Sequence, residues 1–270
     1  MALAQADPET ALAREEASLA TGGMQGRGVR VEIPMEGGET LILKKKRRGG
    51  LAARLMGDVY RREYEALAEV MLSELAWKKG VPVAPIAFAM AAPTGEGRLR
   101  SGWRAYEASV KVQGAHSMME WLSMPLPHAR RREILSAAGA CVQRAHNRGF
   151  QHGDLNLGNI LVSCSERGEY GGLLIDLAHS VIGRPLAFNP RVDQLVRLYR
   201  SAEKWLPETP ARRLADCLVF LRAYTAGDRA EVKRLLEAAA RHRGSLMLHK
   251  LGWKVSGRGA VRQPRAGAKN

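Results

Sequence analysis

Apolar and polar residues alternate along the first part of the chain in the manner of β-strands. The predicted strands cover residues 29–33, 40–44, 86–90 and 103–112. A proline- and glycine-containing turn at 34–38 separates the first two, and a polar loop at 91–102 separates the last two. The N-terminal half of the chain is therefore predicted to be rich in β-structure.

Helical periodicity interrupts this region once and dominates the rest of the chain. Residues 58–79 carry apolar residues three or four apart, which predicts a helix with one apolar face: Tyr60, Tyr64, Leu67, Met71 and Leu75. A short helix is predicted at 117–122 and a long one at 127–148, with Gly149 as its C-terminal stop signal. Three more helices follow Pro190. The pattern predicts an α+β fold with a mainly helical second half.

A polar motif follows the long helix. His152-Gly153-Asp154 begins it, Asn159 comes five residues after Asp154, and Asp176 ends the apolar run 173–175. Kinase-type phosphoryl transfer uses such residues: one Asp orients or deprotonates the attacking hydroxyl, and an Asn and a second Asp hold the Mg²⁺ ions that bridge the phosphates. We interpret Asp154 as the catalytic base, and Asn159 and Asp176 as metal ligands.

Nucleotide-binding candidates lie in the β-rich half. Residues 21–28 are dense in glycine, and Gly26 and Gly28 are candidates for backbone contact with phosphates, although a flexible linker explains residues 21–23 equally well. Lys44, at the end of the second strand, is the candidate for contact with the α and β phosphates. The backbone of Val110 and Val112 is the candidate for hydrogen bonds to the base.

The helix at 58–79 should supply a glutamate to pair with Lys44, and three are candidates: Glu65, Glu69 and Glu74. The commoner role of a helical glutamate is a solvated one. Periodicity does not choose among the three.

The charge balance adds a partner class. The net charge is +15 and the sequence pI is 10.2, which favours an anionic partner such as nucleic acid, anionic lipid or a phosphorylated glycolipid. Residues 44–48 form a dense basic block, and the C-terminal stretch 250–270 carries no acidic residue. Three cysteines without a CxxC pair predict neither a zinc site nor a disulfide framework. We find no signal-peptide pattern and no apolar run of transmembrane length.

Together these segments resemble the lipopolysaccharide kinases, the family that includes 3-deoxy-D-manno-octulosonic acid (Kdo) kinase and the heptose kinase of the inner core. The resemblance covers roughly residues 26–205. It is carried by LKKKRRGGL at 43–51, the segment 69–85, GFQHGDLNLGNILV at 149–162, LIDL at 174–177 and the segment 189–205 with its RLYRS string. The RRGGL and RxxRS strings are the more specific, because the catalytic-loop string occurs across kinase-like folds.

The resemblance implies a two-lobed protein-kinase-like fold, with ATP and Mg²⁺ as cofactors and Glu69 as the partner of Lys44. It divides the chain into a lead at 1–22, an N-lobe at 23–112, a C-lobe at 113–250 and a basic tail at 251–270; lead and tail are candidates for disorder. The implied substrate is a sugar hydroxyl on the Kdo or heptose of a lipid A precursor, an anionic glycolipid. The implied place is the cytoplasm, with peripheral contact to the anionic inner membrane.

The chain departs from the family after Asp176, where Ala178 and His179 follow Leu177 instead of an acidic or His residue and then an Arg. This puts substrate preference in question. The alternative enzyme is an atypical RIO-like serine/threonine protein kinase acting on a nucleic-acid-associated substrate, which also has a short segment after the second Asp. A kinase-shaped binding protein without activity would not need Lys44, Asp154, Asn159 and Asp176 together. A nucleic-acid-binding module explains the charge but not that set of residues.

Overall fold

The structure is a computed structural model that describes residues 30–46, 59–60, 62–94 and 102–255, with side-chain detail as far as residue 242. The predicted lead at 1–22 and the glycines Gly26 and Gly28 lie outside the described residues. Most of the predicted basic tail also lies outside them.

The N-lobe is a four-stranded antiparallel sheet with one helix packed on it. Its elements are β1 (Arg30–Pro34), β2 (Thr40–Lys45), α1 (Glu63–Lys78), β3 (Ile86–Thr94) and β4 (Gly102–Val110). The strand order is β1-β2-β4-β3, so β2 and β4 lie in the middle of the sheet. The register places Lys44 directly opposite Glu107 and Leu43 opposite Ala108. Both faces of the sheet are used: α1 packs against β3 and β4, and a small apolar cluster forms around Leu43 and Tyr106.

A helix is present at Glu63–Lys78, shorter than the predicted 58–79 because Tyr60 pairs with Trp103 in an isolated bridge. Its buried face is not the one that periodicity suggested. Tyr64, Met71 and Leu75 are 59%, 69% and 44% exposed. Four other side chains turn inward: Glu69, Leu72, Ser73 and Ala76. A helix normally buries its apolar stripe. Here the small residues Ser73 and Ala76 allow close packing on the sheet. Glu69 is buried because it forms an ion pair with Lys46.

The C-lobe is helical with short strands at its junction with the N-lobe. Its elements are β5 (His116–Ser117), α2 (Met118–Ser123), α3 (His128–Asn147), β6 (Phe150–Gln151), β7 (Ile160–Cys164), β8 (Tyr170–Leu174), β9 (Val181–Ile182), α4 (Phe188–Trp205), α5 (Pro210–Tyr224) and α6 (Arg229–Val255). Strands β7 and β8 form a hairpin, and β5 pairs with β7. Helices α3 and α5 approach closely at Gly139. Glycine is required there, because a Cβ would lie 2.4 Å from the Phe220 carbonyl oxygen.

One large apolar core fills the C-lobe. It includes Ile134 and Val142 from α3, Leu174 from β8 and Phe220 from α5, all buried. The isolated pairing of Val83 with Leu174 ties the segment before β3 to this core. The predicted α+β, two-lobed kinase-like fold is confirmed. None of the helices among the described residues has the length and apolar character needed to cross a bilayer.

Candidate active site

The loop between β6 and β7 carries the predicted catalytic residues, and His152 fixes its shape. His152 is 2% exposed, and its Nε2 lies 3.0 Å from the Ile175 carbonyl oxygen, which can only accept a hydrogen bond. Its Nδ1 accepts a hydrogen bond from the Asp154 N–H at 3.1 Å. The ring is therefore a neutral tautomer with the proton on Nε2. Burial lowers the pKa of His152, in agreement with that assignment.

Asp154 is exposed at the tip of this loop, and two asparagines orient it. The Asn156 amide donates to Asp154 Oδ2 at 2.9 Å, and the Asn159 amide donates to the Asp154 carbonyl oxygen at 2.8 Å. Because the Asn159 nitrogen is used in this way, its Oδ1 is the side-chain atom able to bind a metal ion. The Ile175 N–H donates to the Asn159 carbonyl at 3.1 Å, which joins the loop to the residue before Asp176.

Asp176 follows β8 in the left-handed backbone region, with φ at 60°. A non-glycine residue rarely adopts this conformation except where the surroundings impose it, often at a functional site. The segment after it packs tightly on the catalytic loop: Ser180 Oγ accepts from the Gly153 N–H at 2.9 Å. A Cβ at Gly153 would lie 2.1 Å from the Ala178 carbonyl oxygen, so only glycine fits there. The loops of Asp154 and Asp176 are held as one unit.

Helix α4 holds this unit in place through hydrogen bonds. The Gln194 amide donates to the His152 carbonyl at 2.9 Å, Arg197 donates to the Gly153 carbonyl, and Ser201 Oγ accepts from the Leu157 N–H at 3.0 Å. The sequence drew attention to the string that contains Arg197 and Ser201 but gave these residues no role. Gln194, Arg197 and Ser201 are three and four residues apart. This helical spacing of polar residues indicates that one face of the helix hydrogen-bonds to the loop.

The predicted lysine–glutamate pair is formed by different partners, which corrects the sequence interpretation. Glu69 from α1 binds Lys46, whereas Lys44 Nζ lies 3.1 Å from Glu107 Oε1 on β4. The reason is register: the antiparallel sheet places Lys44 opposite Glu107, and Lys46, two residues further along, reaches α1. Sequence reasoning missed Glu107, although a single carboxylate inside the mostly apolar strand at 103–110 is a recognisable signal of a buried ion pair.

Charges in this cluster influence one another strongly. Burial acts to lower the pKa of Lys44, but the carboxylates of Glu107, Glu69 and Asp176 together raise it above its ordinary value. Burial raises the pKa of Glu107, and nearby Glu69 adds to this, while Lys44 and Lys46 oppose it. Lys44 therefore remains an ammonium ion, and the negative charge of Asp176 helps to stabilise it.

The two lobes enclose a cleft of about 950 Å³, in which most of the predicted site residues come together. Lys44, Glu69, Val110, Val112, Asn159 and Asp176 line it. The Val110 N–H is already donated to the Pro85 carbonyl at 3.1 Å, so Val110 can offer a base only its carbonyl oxygen. Asp154 does not line the cleft. It is connected to the cleft by the hydrogen bond that Asn159, a lining residue, donates to its carbonyl oxygen.

Asn159 and Asp176 fit a magnesium ion that a nucleotide brings with it. Within the described residues, no group of three or more His, Cys, Asp or Glu side chains forms a separate metal site. Magnesium is usually held by one or two carboxylates together with substrate phosphates and water. One carboxylate and one amide oxygen facing the same cleft match that requirement.

A second cavity, of about 240 Å³, lies inside the C-lobe between α3, α4, α5 and α6. Its walls are mostly apolar and include Leu135, Val196 and Leu221. It contains none of the predicted site residues. The chemistry therefore belongs to the cleft between the lobes.

Comparison with protein families identifies relatives of the chain. Residues 16–224 match the family described as "Lipopolysaccharide kinase (Kdo/WaaP) family". The 3-deoxy-D-manno-octulosonic acid kinase of Haemophilus influenzae (strain Rd) is 30% identical over 191 residues, covering 68% of this chain and 75% of that protein. The enzyme of the same description from Xanthomonas campestris pv. campestris (strain B100) is 31% identical over 168 residues, covering 60% of this chain and 61% of that protein.

A solved structure gives the same fold. "WaaP in complex with acyl carrier protein" superimposes with a TM-score of 0.50, covers 84% of this chain and 91% of that one, and is 19% identical in sequence. At that identity the likeness concerns the fold. It agrees with the two lobes and the cleft described above.

Proposed function

The chain belongs to the lipopolysaccharide kinase (Kdo/WaaP) family, and from this premise we propose that it transfers the γ-phosphate of ATP to a sugar hydroxyl of the lipopolysaccharide inner core. The acceptor is the Kdo or heptose of a lipid A precursor. The observation that supports this most strongly is the meeting of Asn159, Asp176 and Lys44 in one cleft, with Asp154 held beside it.

Each residue has a role in the proposed reaction. Asp154 orients the acceptor hydroxyl and receives its proton as the hydroxyl oxygen bonds to the γ-phosphorus. The bond from that phosphorus to the bridging oxygen breaks, and ADP leaves. Lys44 neutralises charge on the phosphates, and the backbone of Val110 and Val112 holds the base. Mg²⁺, held by Asn159 and Asp176, would supply charge neutralisation along the phosphates.

The basic composition agrees with this acceptor. Lipid A precursors carry phosphates and Kdo carboxylates, and the chain carries a net charge of +15. Each Lys or Arg near an anionic bilayer contributes about 1 kcal/mol of attraction. We therefore place the enzyme at the cytoplasmic face of the inner membrane as a peripheral protein. Nucleic acid is the less favoured partner, and the RIO-like alternative is less favoured because the relatives found are sugar kinases.

Phosphate transfer to different acceptors tests the proposal. ATP labelled at the γ-phosphate is incubated with Mg²⁺ and Kdo-lipid A precursor, in parallel with a protein acceptor and an RNA acceptor, for the wild type and Asp154→Asn. Label should enter the glycolipid with the wild type alone. Label on the protein acceptor but not on the glycolipid would favour the RIO-like kinase instead.

Vesicle binding tests the placement at the membrane. Sedimentation with vesicles rich in anionic lipid should retain the protein at low salt and release much of it at high salt. Equal binding to neutral vesicles, or none to anionic ones, would contradict peripheral attachment by charge.

A further inference from the structure

The cleft contains two partly buried lysines and two buried carboxylates where a kinase ordinarily needs one of each. In protein kinases one lysine both contacts the phosphates and pairs with a glutamate of the neighbouring helix. Here Lys44 and Lys46 lie two residues apart in an extended segment and share a face of the sheet. The Lys46 N–H donates to the Ala105 carbonyl at 2.8 Å, so Lys46 continues the pairing of β2 with β4.

Lys46 is the deeper of the two lysines. The side chains of Lys46 and Glu69 are 11% and 5% exposed, whereas that of Lys44 is 26% exposed. This pair also makes a direct ionic contact between the sheet and α1. Lys46 therefore serves to fix the helix on the sheet.

Glu107 bridges the two lysines. Its Oε1 lies 3.1 Å from Lys44 Nζ, and its Oε2 lies 3.8 Å from Lys46 Nζ. Glu107 is 3% exposed, and Glu107 Oε2 and Glu69 Oε1 have no hydrogen-bond partner among the described residues. The surrounding cations offset the desolvation cost of a carboxylate buried in this position.

Lys44 and Lys46 both line the cleft, and Lys44 is the one paired within the sheet. It is the more exposed of the two, and Asp176 contributes to its electrostatic environment. Its partner Glu107 is fixed by the register of the sheet and not by the position of α1. A cross-strand pair of this kind stays in place when a neighbouring helix shifts.

We propose that the two tasks of the kinase lysine are divided in this chain: Lys46 anchors α1 through Glu69, while Glu107 acts as a positioning residue that holds Lys44 toward the nucleotide phosphates. The proposal rests on the proposed function only in that the cleft binds a nucleotide. One consequence is distinctive: loosening α1 should affect nucleotide affinity less than removing Lys44 or Glu107 does.

Nucleotide binding by matched variants tests this division. The affinity for Mg²⁺-ADP, measured by calorimetry, is compared in wild type, Lys44→Met, Lys46→Met, Glu107→Gln and the double variant Lys44→Met with Glu107→Gln. Glu107→Gln should weaken binding about ten-fold, as expected when a charge-assisted hydrogen bond that orients the lysine is weakened. It should weaken binding no further once Lys44 is absent, because it acts through Lys44.

Hydrogen exchange of residues 63–78 supplies the second readout. In Lys46→Met, the amides of α1 should be less protected against exchange than in the wild type. The same variant should lose less nucleotide affinity than Lys44→Met does. Equal loss of affinity in the two lysine variants would overturn the division, and so would additive losses in the double variant. If Glu107→Gln does not fold, the two lysine variants still decide.

The binding readout also separates this proposal from the proposed function. ADP binding needs no glycolipid acceptor. A wild type that does not bind Mg²⁺-ADP would contradict the kinase proposal itself. A wild type that binds it, with Lys44→Met and Lys46→Met indistinguishable in both affinity and exchange, would contradict only the division.

Discussion

The N-lobe and the C-lobe are held together by different means. Among the described residues, the N-lobe sheet has a core cluster of four buried apolar side chains, and a group of four charged side chains lies beside it at the cleft. The C-lobe has an apolar core that spans α2 to α6 and reaches back to Val83. The catalytic loop packs on that core and is fixed by a hydrogen bond donated by Gln194 of α4 and by one that His152 donates to Ile175, the residue after β8.

This difference suggests a division of work between the lobes. Asp154, Asn159 and Asp176 are held in place by a rigid body. Lys44 and Lys46 of the N-lobe are held by charge pairs, which depend on each partner being present. Variants in the C-lobe should therefore separate into those that stop the chemistry and those that unfold the protein, while variants of the charged N-lobe cluster should change nucleotide binding.

Loss of the Asp176 carboxylate is expected to have the largest effect. Asp176→Asn should reduce phosphate transfer to near background, because it removes the carboxylate charge that the site offers to Mg²⁺. The thermal unfolding temperature should stay close to that of the wild type, because Asp176 is exposed. Transfer assays and thermal unfolding check this, with Glu166→Gln as the matched exposed control. Full activity in Asp176→Asn would remove Asp176 from the metal site.

Arg131 offers a charged cluster remote from the cleft as a contrast to the lysines. Arg131 is 5% exposed and binds Asp216 and Glu208 between α3 and α5. Arg131→Met leaves Glu208 without this cation and leaves Asp216 with the longer contact to Arg212 at 3.7 Å. It should cost about 3–5 kcal/mol of stability, as when one partner of a buried pair is removed. Urea denaturation measures this cost. Nucleotide affinity of the folded variant should be unchanged; a weakened affinity would show that the lobes are coupled through α3.

A matched pair of leucines compares the two cores directly. Leu174 of β8 is 1% exposed and Leu43 of β2 is 2% exposed. Leucine-to-alanine changes in cores cost about 2–5 kcal/mol, more where the surroundings cannot collapse. Leu174→Ala should lie at the upper end of that range and Leu43→Ala at the lower end. Denaturation curves that gave the reverse order would contradict the description of the N-lobe as the more weakly packed body.

The histidine contribution to the pH dependence of stability should come from the C-lobe. Burial lowers the pKa of His146 to about 3, and burial also lowers that of His152, whereas residues 1–112 contain no histidine. A histidine whose pKa is lower in the folded state stabilises the fold above its unfolded pKa of about 6.5, and this contribution is lost as the pH falls. Between about pH 6.5 and 5, each such histidine adds up to about 1.4 kcal/mol per pH unit to the slope.

His146→Gln is the variant that isolates this effect. The side chain would remain neutral, so the free energy of unfolding should depend less steeply on pH in that window. Denaturation at several pH values checks it, with the exposed His128→Gln as the control. An unchanged slope would mean that His146 is not held neutral.

The sequence predicted the C-lobe part of the site better than the N-lobe part. Asp154, Asn159 and Asp176 are close in the chain and joined by a short hairpin, so their spacing was enough to bring them together. The pairing of Lys44, Lys46, Glu69 and Glu107 depends on the register between β2 and β4 and on the rotation of α1, and neither is visible in spacing. Periodicity assigned the inner face of α1 to Tyr64, Met71 and Leu75 because it ranks residues by polarity, whereas Glu69 is buried by its contact with Lys46.

The division between the lobes is tested most directly by measuring two quantities in Asp154→Asn and Lys44→Met side by side: the dissociation constant for Mg²⁺-ATP, and the rate of a single turnover at saturating ATP with Kdo-lipid A precursor. Asp154→Asn should bind ATP as the wild type does and transfer phosphate about 10²–10⁴-fold more slowly, the range for loss of a general base. Lys44→Met should show its main loss in affinity. Loss of ATP binding in Asp154→Asn, with normal binding in Lys44→Met, would contradict the account.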